Sequence, residues 1–281
     1  MIKLSTPVFV QPLDVKLSLD DRIMVLGSCF ADSIGSRLAD AGFNVCVNPF
    51  GTLYNPVSVC NSIARLSSGT PFREEDTVQM GAGADLVCSW SHHTSFARPT
   101  SGEFLENANS ELEKASAFWK SCNKALITLG TAMVWKLAGS GEVVSNCLKR
   151  PSAEFSHEML GTEQVTALVN MIIRGNPDKE FIFTVSPIRH LGDGARSNTL
   201  SKAVLQLSLA RTGACYFPAS EILLDELRDY RFYAEDLVHP SKLAEDIIWQ
   251  RFIEAAVVPG DRSQMDLNEK AARRKAHRPL R

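Results

Sequence analysis

Five short apolar runs, at residues 23–26, 43–47, 125–129, 181–185 and 215–217, alternate with segments of helical periodicity. That alternation restricts the fold more than any other feature of the chain. Short Val-, Ile-, Leu- and Phe-rich runs of this kind fit strands buried on both faces. After the first run, Phe30, Ile34, Leu38 and Ala41 recur at helical spacing, and Gly42 ends the element as a C-cap would. Pro56 begins a second helix carrying Val57, Val59, Cys60 and Ile63. Residues 105–119 read as a helix before the third strand, 163–173 as one before the fourth, and 202–209 as one after it. A last helix is expected over 240–257, with Pro240 at its first position and a stripe of Leu243, Ile247, Ile248 and Phe252. Strand and helix in alternation predict a parallel, doubly wound sheet rather than a sandwich or a bundle.

Two stretches interrupt the alternation. Residues 68–98 are polar and Gly-containing but carry Trp90, His92, His93 and Phe96. Residues 138–155 carry Gly139-Ser140-Gly141 and then Asn146-Cys147-Leu148-Lys149-Arg150-Pro151. Inserts of this length in a compact domain are often binding loops or lids. The expected organisation is one domain over residues 1–260 with these two inserts, followed by a polar, basic tail over 261–281. The tail is read as a solvated, frayed helix; its basic charge would also suit an acidic surface or nucleic acid.

A net charge of -2 gives no global electrostatic footprint for nucleic acid. The first residues lack a charged region followed by an apolar run, so no signal peptide is expected. No stretch approaches the roughly 18 apolar residues of a membrane span. Seven cysteines, an odd number without a C-x-x-C pair, argue against a disulfide framework or a zinc site, and a reducing cytoplasm is the expected location. No metal or other cofactor is expected, and the sequence does not set an oligomeric state.

The chemistry-bearing residues stand at strand ends. The first strand ends at Gly27, and Ser28-Cys29 then open a helix. A nucleophile there lies at the carboxyl edge of the sheet, beside helix N-terminal N–H groups that favour a thiolate or an oxyanion. Asp236-Leu-Val-His239-Pro240 offers an imidazole base and a carboxylate to fix its tautomer, although D-x-x-H alone is a common capping pattern. Asn48-Pro-Phe-Gly51-Thr-Leu-Tyr-Asn-Pro56 is a turn-rich loop from which Gly51 would present an N–H to an oxyanion, or simply make a tight turn. Gly130-Thr131 and Ser186-Pro-Ile-Arg189-His190 follow the third and fourth strands. Arg189 would clamp an anionic group or pair with Asp193. His92 and His93 lack metal-ligand spacing, so a packed or solvent-facing pair is expected, with a lid or pocket wall as the functional option.

Taken together, these segments resemble the GSCFA-domain proteins. Gly27-Ser28-Cys29-Phe30-Ala31 is that family's name-giving motif. Residues 48–56, Thr128-Leu-Gly-Thr-Ala132, Asn146-Cys147 with Lys149 and Pro151, residues 184–190 and residues 229–240 resemble it too. The family is itself placed near the SGNH (GDSL-like) hydrolases. The resemblance implies a flavodoxin-like three-layer α/β/α fold with a five-stranded parallel sheet, and esterase-like or acyltransferase-like chemistry. Carried over position by position, it puts Cys29 at the nucleophile, with a one-residue shift making it Ser28. It puts Gly51 in the oxyanion hole, and Asp236 with His239 in the D-x-x-H pair. The G-x-N of those hydrolases is Gly130-Thr131-Ala132 here, so the oxyanion-hole Asn is missing. Thr131 or Asn146 would have to replace it.

The expected function is therefore an SGNH-like hydrolase or acyltransferase acting on an ester, thioester or O-acyl group of a small molecule or carbohydrate. Cys29 or Ser28 would attack, His239 and Asp236 would form the base pair, and Gly51, Gly130 and Thr131 would hold the oxyanion. His93, Asn146, Arg189 and His190 would line the substrate pocket. The alternative is a non-catalytic ligand-binding module on the same fold.

Overall fold

Strand β1 (Arg22–Gly27) is buried along nearly its whole length and has a parallel neighbour on each side. One is β2 (Asn44–Val47) and the other is β5 (Lys124–Leu129). The protein's structure, a computed structural model, is described for residues 6–81 and 83–276. Beyond β5 lie β9 (Glu180–Val185) and β10 (Cys215–Tyr216), so the all-parallel sheet runs β2-β1-β5-β9-β10. Numbered along the sheet's own strands this is the flavodoxin-like order 2-1-3-4-5, whose topological switch point lies between β1 and its third-strand neighbour. Here that crevice opens at the carboxyl ends of β1 and β5.

Alternate strand residues feed two cores, because successive side chains point to opposite faces. Met24, Leu26, Ala125, Ile127, Phe181 and Phe183 pack under α2 (Pro56–Ser68), α3 (Ser101–Ser121), α4 (Thr162–Gly175) and α5 (Gly194–Thr212). Ile23, Val25, Leu126 and Ile182 pack under α1 (Cys29–Asp40) and α7 (Lys242–Ala256), with the single turn α6 (Ala219–Glu221) beside them. The result is the three-layer α/β/α arrangement.

Two local readings change. Pro240 precedes α7 rather than opening it: Ser241 is the N-cap, its side chain accepting from the Ala244 N–H, and Pro240 bridges to Tyr233. Within α7, Leu243 is 55% exposed and Ala244 takes its place on the buried stripe. The fold also continues past residue 260. Helix α8 (Arg262–Ala276) buries Met265, and Asn268 Nδ2 donates to the Ala41 carbonyl at the end of α1. Residues 277–281 of the expected tail lie outside the described residues.

Both inserts hold regular structure. The first contains the hairpin of β3 (Val78–Gln79) and β4 (Val87–Cys88). The second belongs to an antiparallel sheet, β7-β6-β8, built from β6 (Met133–Leu137), β7 (Val143–Val144) and β8 (Phe155–Met159). Among the described residues no helix is long and apolar enough to cross a membrane.

Candidate active site

Gly27 ends β1 with φ 135°, and a Cβ added there would sit 2.0 Å from the Thr128 carbonyl oxygen. Only glycine lets β1 and β5 come this close at the switch point. The next residue is fully buried. Ser28 caps α1: its Oγ accepts from the Phe30 N–H at 3.3 Å and lies 3.2 Å from Thr128 Oγ1, while its N–H donates to Thr128. The hydroxyl is thus occupied in holding the strand end and the helix start.

Cys29, the first residue of α1, is half-buried and points elsewhere. Its Sγ lies 3.4 Å from the Tyr54 hydroxyl. Its N–H, being in the first helical turn, has no carbonyl partner within the helix. Tyr54 Oη accepts from Thr52 Oγ1 at 3.2 Å, and its own proton is one of the two that can bridge Oη and Sγ. Burial first, and then the Cys29 contact, push the Tyr54 pKa up to about 12, so the phenol keeps that proton. The Tyr54 carbonyl accepts the N–H groups of both Gly130 (2.8 Å) and Thr131 (2.9 Å), fixing the ring against the end of β5.

The loop leading to Tyr54 is held by Asn48. Its Oδ1 accepts from the Gly27 N–H at 2.8 Å, and its Nδ2 donates to Asp32 Oδ1 at 2.6 Å. It adopts φ 42°, a conformation asparagine tolerates better than most residues. Partial burial raises the Asp32 carboxyl pKa against the opposing effects of Asn48 and His93. The Gly51 N–H donates to the Asn48 carbonyl at 2.8 Å, closing the turn. His93 packs on Gly51, donates its N–H to the Phe50 carbonyl, and accepts from Ser95 N–H through Nδ1.

His190 completes this wall. Its ring stands edge-on to Tyr54 with centroids 5.6 Å apart, and Nε2 is buried without a partner among the described residues. Burial, with smaller contributions from the Lys202 and His239 charges, lowers its pKa to about 3 and keeps it neutral. Lys202, reaching in from α5, donates to the carbonyls of Gly130 and Ser186, both at 2.7 Å. Desolvation lowers its pKa to about 7.

Asp236 and His239 form a joined pair. Asp236 Oδ2 lies 2.6 Å from His239 Nδ1, and Oδ1 accepts the N–H groups of Val238 and His239. The His239 and Val238 N–H groups, and then the His239 ring, hold the Asp236 pKa down to about 2. With Nδ1 turned to the carboxylate, His239 has Nε2 free to exchange a proton. Arg189 ties this loop to the β9 end: its N–H donates to Val238 O at 3.1 Å and its Nη1 to Leu237 O at 2.9 Å. Asp193, its expected alternative partner, faces His157 at 3.4 Å instead.

The structure therefore groups Cys29, Gly130, Thr131 and His190 around Tyr54, with Gly51 and His93 along one side and the Asp236–His239 pair close enough to His190 to influence its charge. No hydrogen bond joins Cys29 to His239 among the described residues. Asn146 is not brought in: its Oδ1 accepts from Leu148 N–H within its own turn. The Thr131 hydroxyl pairs with Ser201 Oγ at 2.8 Å. His92 is fully buried among Phe50, Phe72, Phe96 and Phe104, with Nδ1 on Ser89 Oγ, as a packed histidine should be. Among the described residues no cluster of three or more His, Cys, Asp or Glu is arranged to hold a metal ion. Tyr54, Asn48 and Lys202 are the site residues that sequence reasoning missed. Tyr54 and Asn48 lay inside a segment already singled out, whereas nothing local marks Lys202.

Across this whole arrangement, residues 22–252 match the model of the GSCFA family. The chain belongs to that family. The matched span begins at β1 and ends within α7, so it includes Cys29, Tyr54, His190 and the Asp236–His239 pair of this GSCFA protein. No curated protein matches the chain.

Proposed function

We propose that this GSCFA protein is an acyl-transfer enzyme, a hydrolase or acyltransferase of SGNH-like design, with Cys29 as its nucleophile. The observation that carries the reading is the division of labour at residues 28 and 29. Ser28 Oγ is buried and occupied, while Cys29 is only half-buried and holds its Sγ at the switch point, 3.4 Å from the Tyr54 hydroxyl.

In the proposed reaction Cys29 Sγ attacks the carbonyl carbon of an ester or O-acyl group, and its thiol proton passes to His239 Nε2. The tetrahedral oxyanion receives the Tyr54 O–H and the Cys29 N–H. These replace Gly51, Gly130 and Thr131 as donors, because the N–H groups of those three already bond to carbonyls. Collapse re-forms the carbonyl and breaks the C–O bond, and the leaving alkoxide takes the proton from His239. A thioester on Cys29 remains. Water or an acceptor hydroxyl then attacks it with His239 again taking the proton, which gives hydrolysis or transfer and restores the thiol. Asp236 keeps Nδ1 of His239 protonated throughout. A small-molecule or carbohydrate acyl substrate fits this chemistry.

The test is intact-mass spectrometry after separate treatment with iodoacetamide and a fluorophosphonate, followed by peptide mapping. Rapid single labelling at Cys29 that disappears in His239→Ala supports the reading. Slow labelling spread over several cysteines and indifferent to His239 overturns it. That second outcome would favour a ligand-binding module, a reading supported by the three engaged backbone N–H groups and by the unformed Cys29–His239 hydrogen bond.

A further inference from the structure

A cavity of about 530 Å³ is bounded by α2 and by both inserts. None of Cys29, Tyr54, His190 or His239 lines it. One wall is α2; the other is made by the two inserts that the five-stranded core does not require. Trp90 comes from the first insert, and Glu142 and Ser145 come from the second. The inserts are joined over the cleft by the Ser145 N–H, which donates to the Trp90 carbonyl at 2.8 Å.

Helix α2 has two sides of different character. Val59, Ile63 and Leu66 enter the apolar core, while Asn61, Ser62 and Arg65 line the cleft. Ser62 is only 6% exposed, yet its Oγ has no hydrogen-bond partner among the described residues. A buried hydroxyl left unpaired is costly, and this one belongs to a residue in the wall of the cleft.

Charge narrows the ligand class. Arg65 stacks over Phe72 at 4.4 Å, donates to the Thr70 carbonyl, and faces Asp76 at 3.6 Å. Glu142 stands on the opposite wall. The cleft has no cationic excess to hold a phosphate or sulfate. Its remaining polar groups are mainly neutral hydroxyls and amides, and Trp90, fixed edge-on by Phe155 at 5.7 Å, supplies an aromatic surface. Neutral donors and acceptors beside an aromatic ring suit a polyol with an apolar C–H face.

We propose that this cleft binds a saccharide ring, with Trp90 as the stacking wall and Asn61 and Ser62 as hydroxyl partners. The inference stands independently of the acyl-transfer reading. Its test is saturation-transfer NMR on the full chain with methyl glucoside, methyl mannoside and N-acetylglucosamine, each at millimolar concentration. At least one is expected to receive saturation. Trp90→Ala should weaken its binding about tenfold, a loss of about 1.4 kcal/mol. Asn61→Trp, at an exposed helix position whose change leaves the core intact, should block it, and Cys29→Ala should leave it unchanged. Failure of all three sugars to bind overturns the proposal. So does binding that survives Asn61→Trp, or binding lost in Cys29→Ala, which would place the sugar in the other centre.

Discussion

The Tyr54 hydroxyl stands 3.4 Å from Cys29 Sγ while accepting a hydrogen bond from Thr52, and in the proposed reaction its proton serves the acyl group carried on that sulfur. Tyr54→Phe removes that proton and little else, because the ring is held by its own backbone carbonyl and by His190. In the proposed reaction the variant should lose on the order of 10²–10³ in kcat, the usual cost of one oxyanion donor. Single-turnover acylation of Cys29, followed by mass, checks this. An acylation rate equal to that of the parent protein would remove Tyr54 from the chemistry.

Asp236→Asn is expected to leave the fold intact, since both residues of the pair are exposed, but to free the His239 tautomer. A comparable change in a serine protease costs about 10⁴ in kcat, and a drop of at least about 10² is expected here. The pH dependence is informative. Asp236 titrates near 2, so it stays ionised through any working range, and the acidic limb of the parent profile must belong to another group. An acidic limb that moves upward in Asp236→Glu would contradict this assignment.

The closeness of β1 and β5 gives a prediction about stability. Gly27→Ala would force a Cβ to within 2.0 Å of the Thr128 carbonyl oxygen, at a φ that L-residues rarely adopt. Backbone cannot yield as a flexible side chain does, so a loss above about 4 kcal/mol is expected. Urea unfolding of the variant against the parent, or its failure to accumulate in soluble form, would show it. An unchanged unfolding midpoint would mean that the strands can separate without cost.

The fold was legible because buried parallel strands leave short apolar runs that no surface element mimics; 23–26 and 125–129 lie inside β1 and β5 as expected. The antiparallel sheet was missed because its sequence signal is weak. Met133-Val-Trp-Lys-Leu137 is apolar at four of five positions and Phe155-Ser-His-Glu-Met159 only at its two ends, so neither alternates cleanly over its five residues. The Ser28–Cys29 ambiguity could not be read from sequence, because it depends on which side chain turns into the helix cap. Gly51 was foreseen as a donor, yet the turn that gives it φ 78° also uses its N–H. Lys202 was invisible for a different reason: a lysine in a helix of weak amphipathicity looks solvated until its partners, 72 and 16 residues away, are in place.

That lysine supplies the last prediction. Lys202 is buried, contacts no carboxylate among the described residues and bridges the carbonyls at the ends of β5 and β9, with the Glu221 charge opposing the desolvation that lowers its pKa. The folded pKa is about 7, against an ordinary 10.5. Between those values the unfolded chain holds a proton that the folded protein has released, so unfolding takes up protons and stability rises with pH. Below about 7 the full penalty of burying the charge applies. Above about 9 the raised pKa values of buried cysteines such as Cys46 and Cys88 act in the opposite sense, so the clean window is pH 7–9. Lys202→Met removes the titration and leaves two carbonyls unpaired, costing about 1–3 kcal/mol each. The variant should therefore be less stable, and its deficit relative to the parent should grow from pH 7 to pH 9. Urea unfolding of both proteins at the two pH values measures this difference and cancels the shared cysteine contribution. A deficit that stays constant across the window would mean that Lys202 does not titrate there.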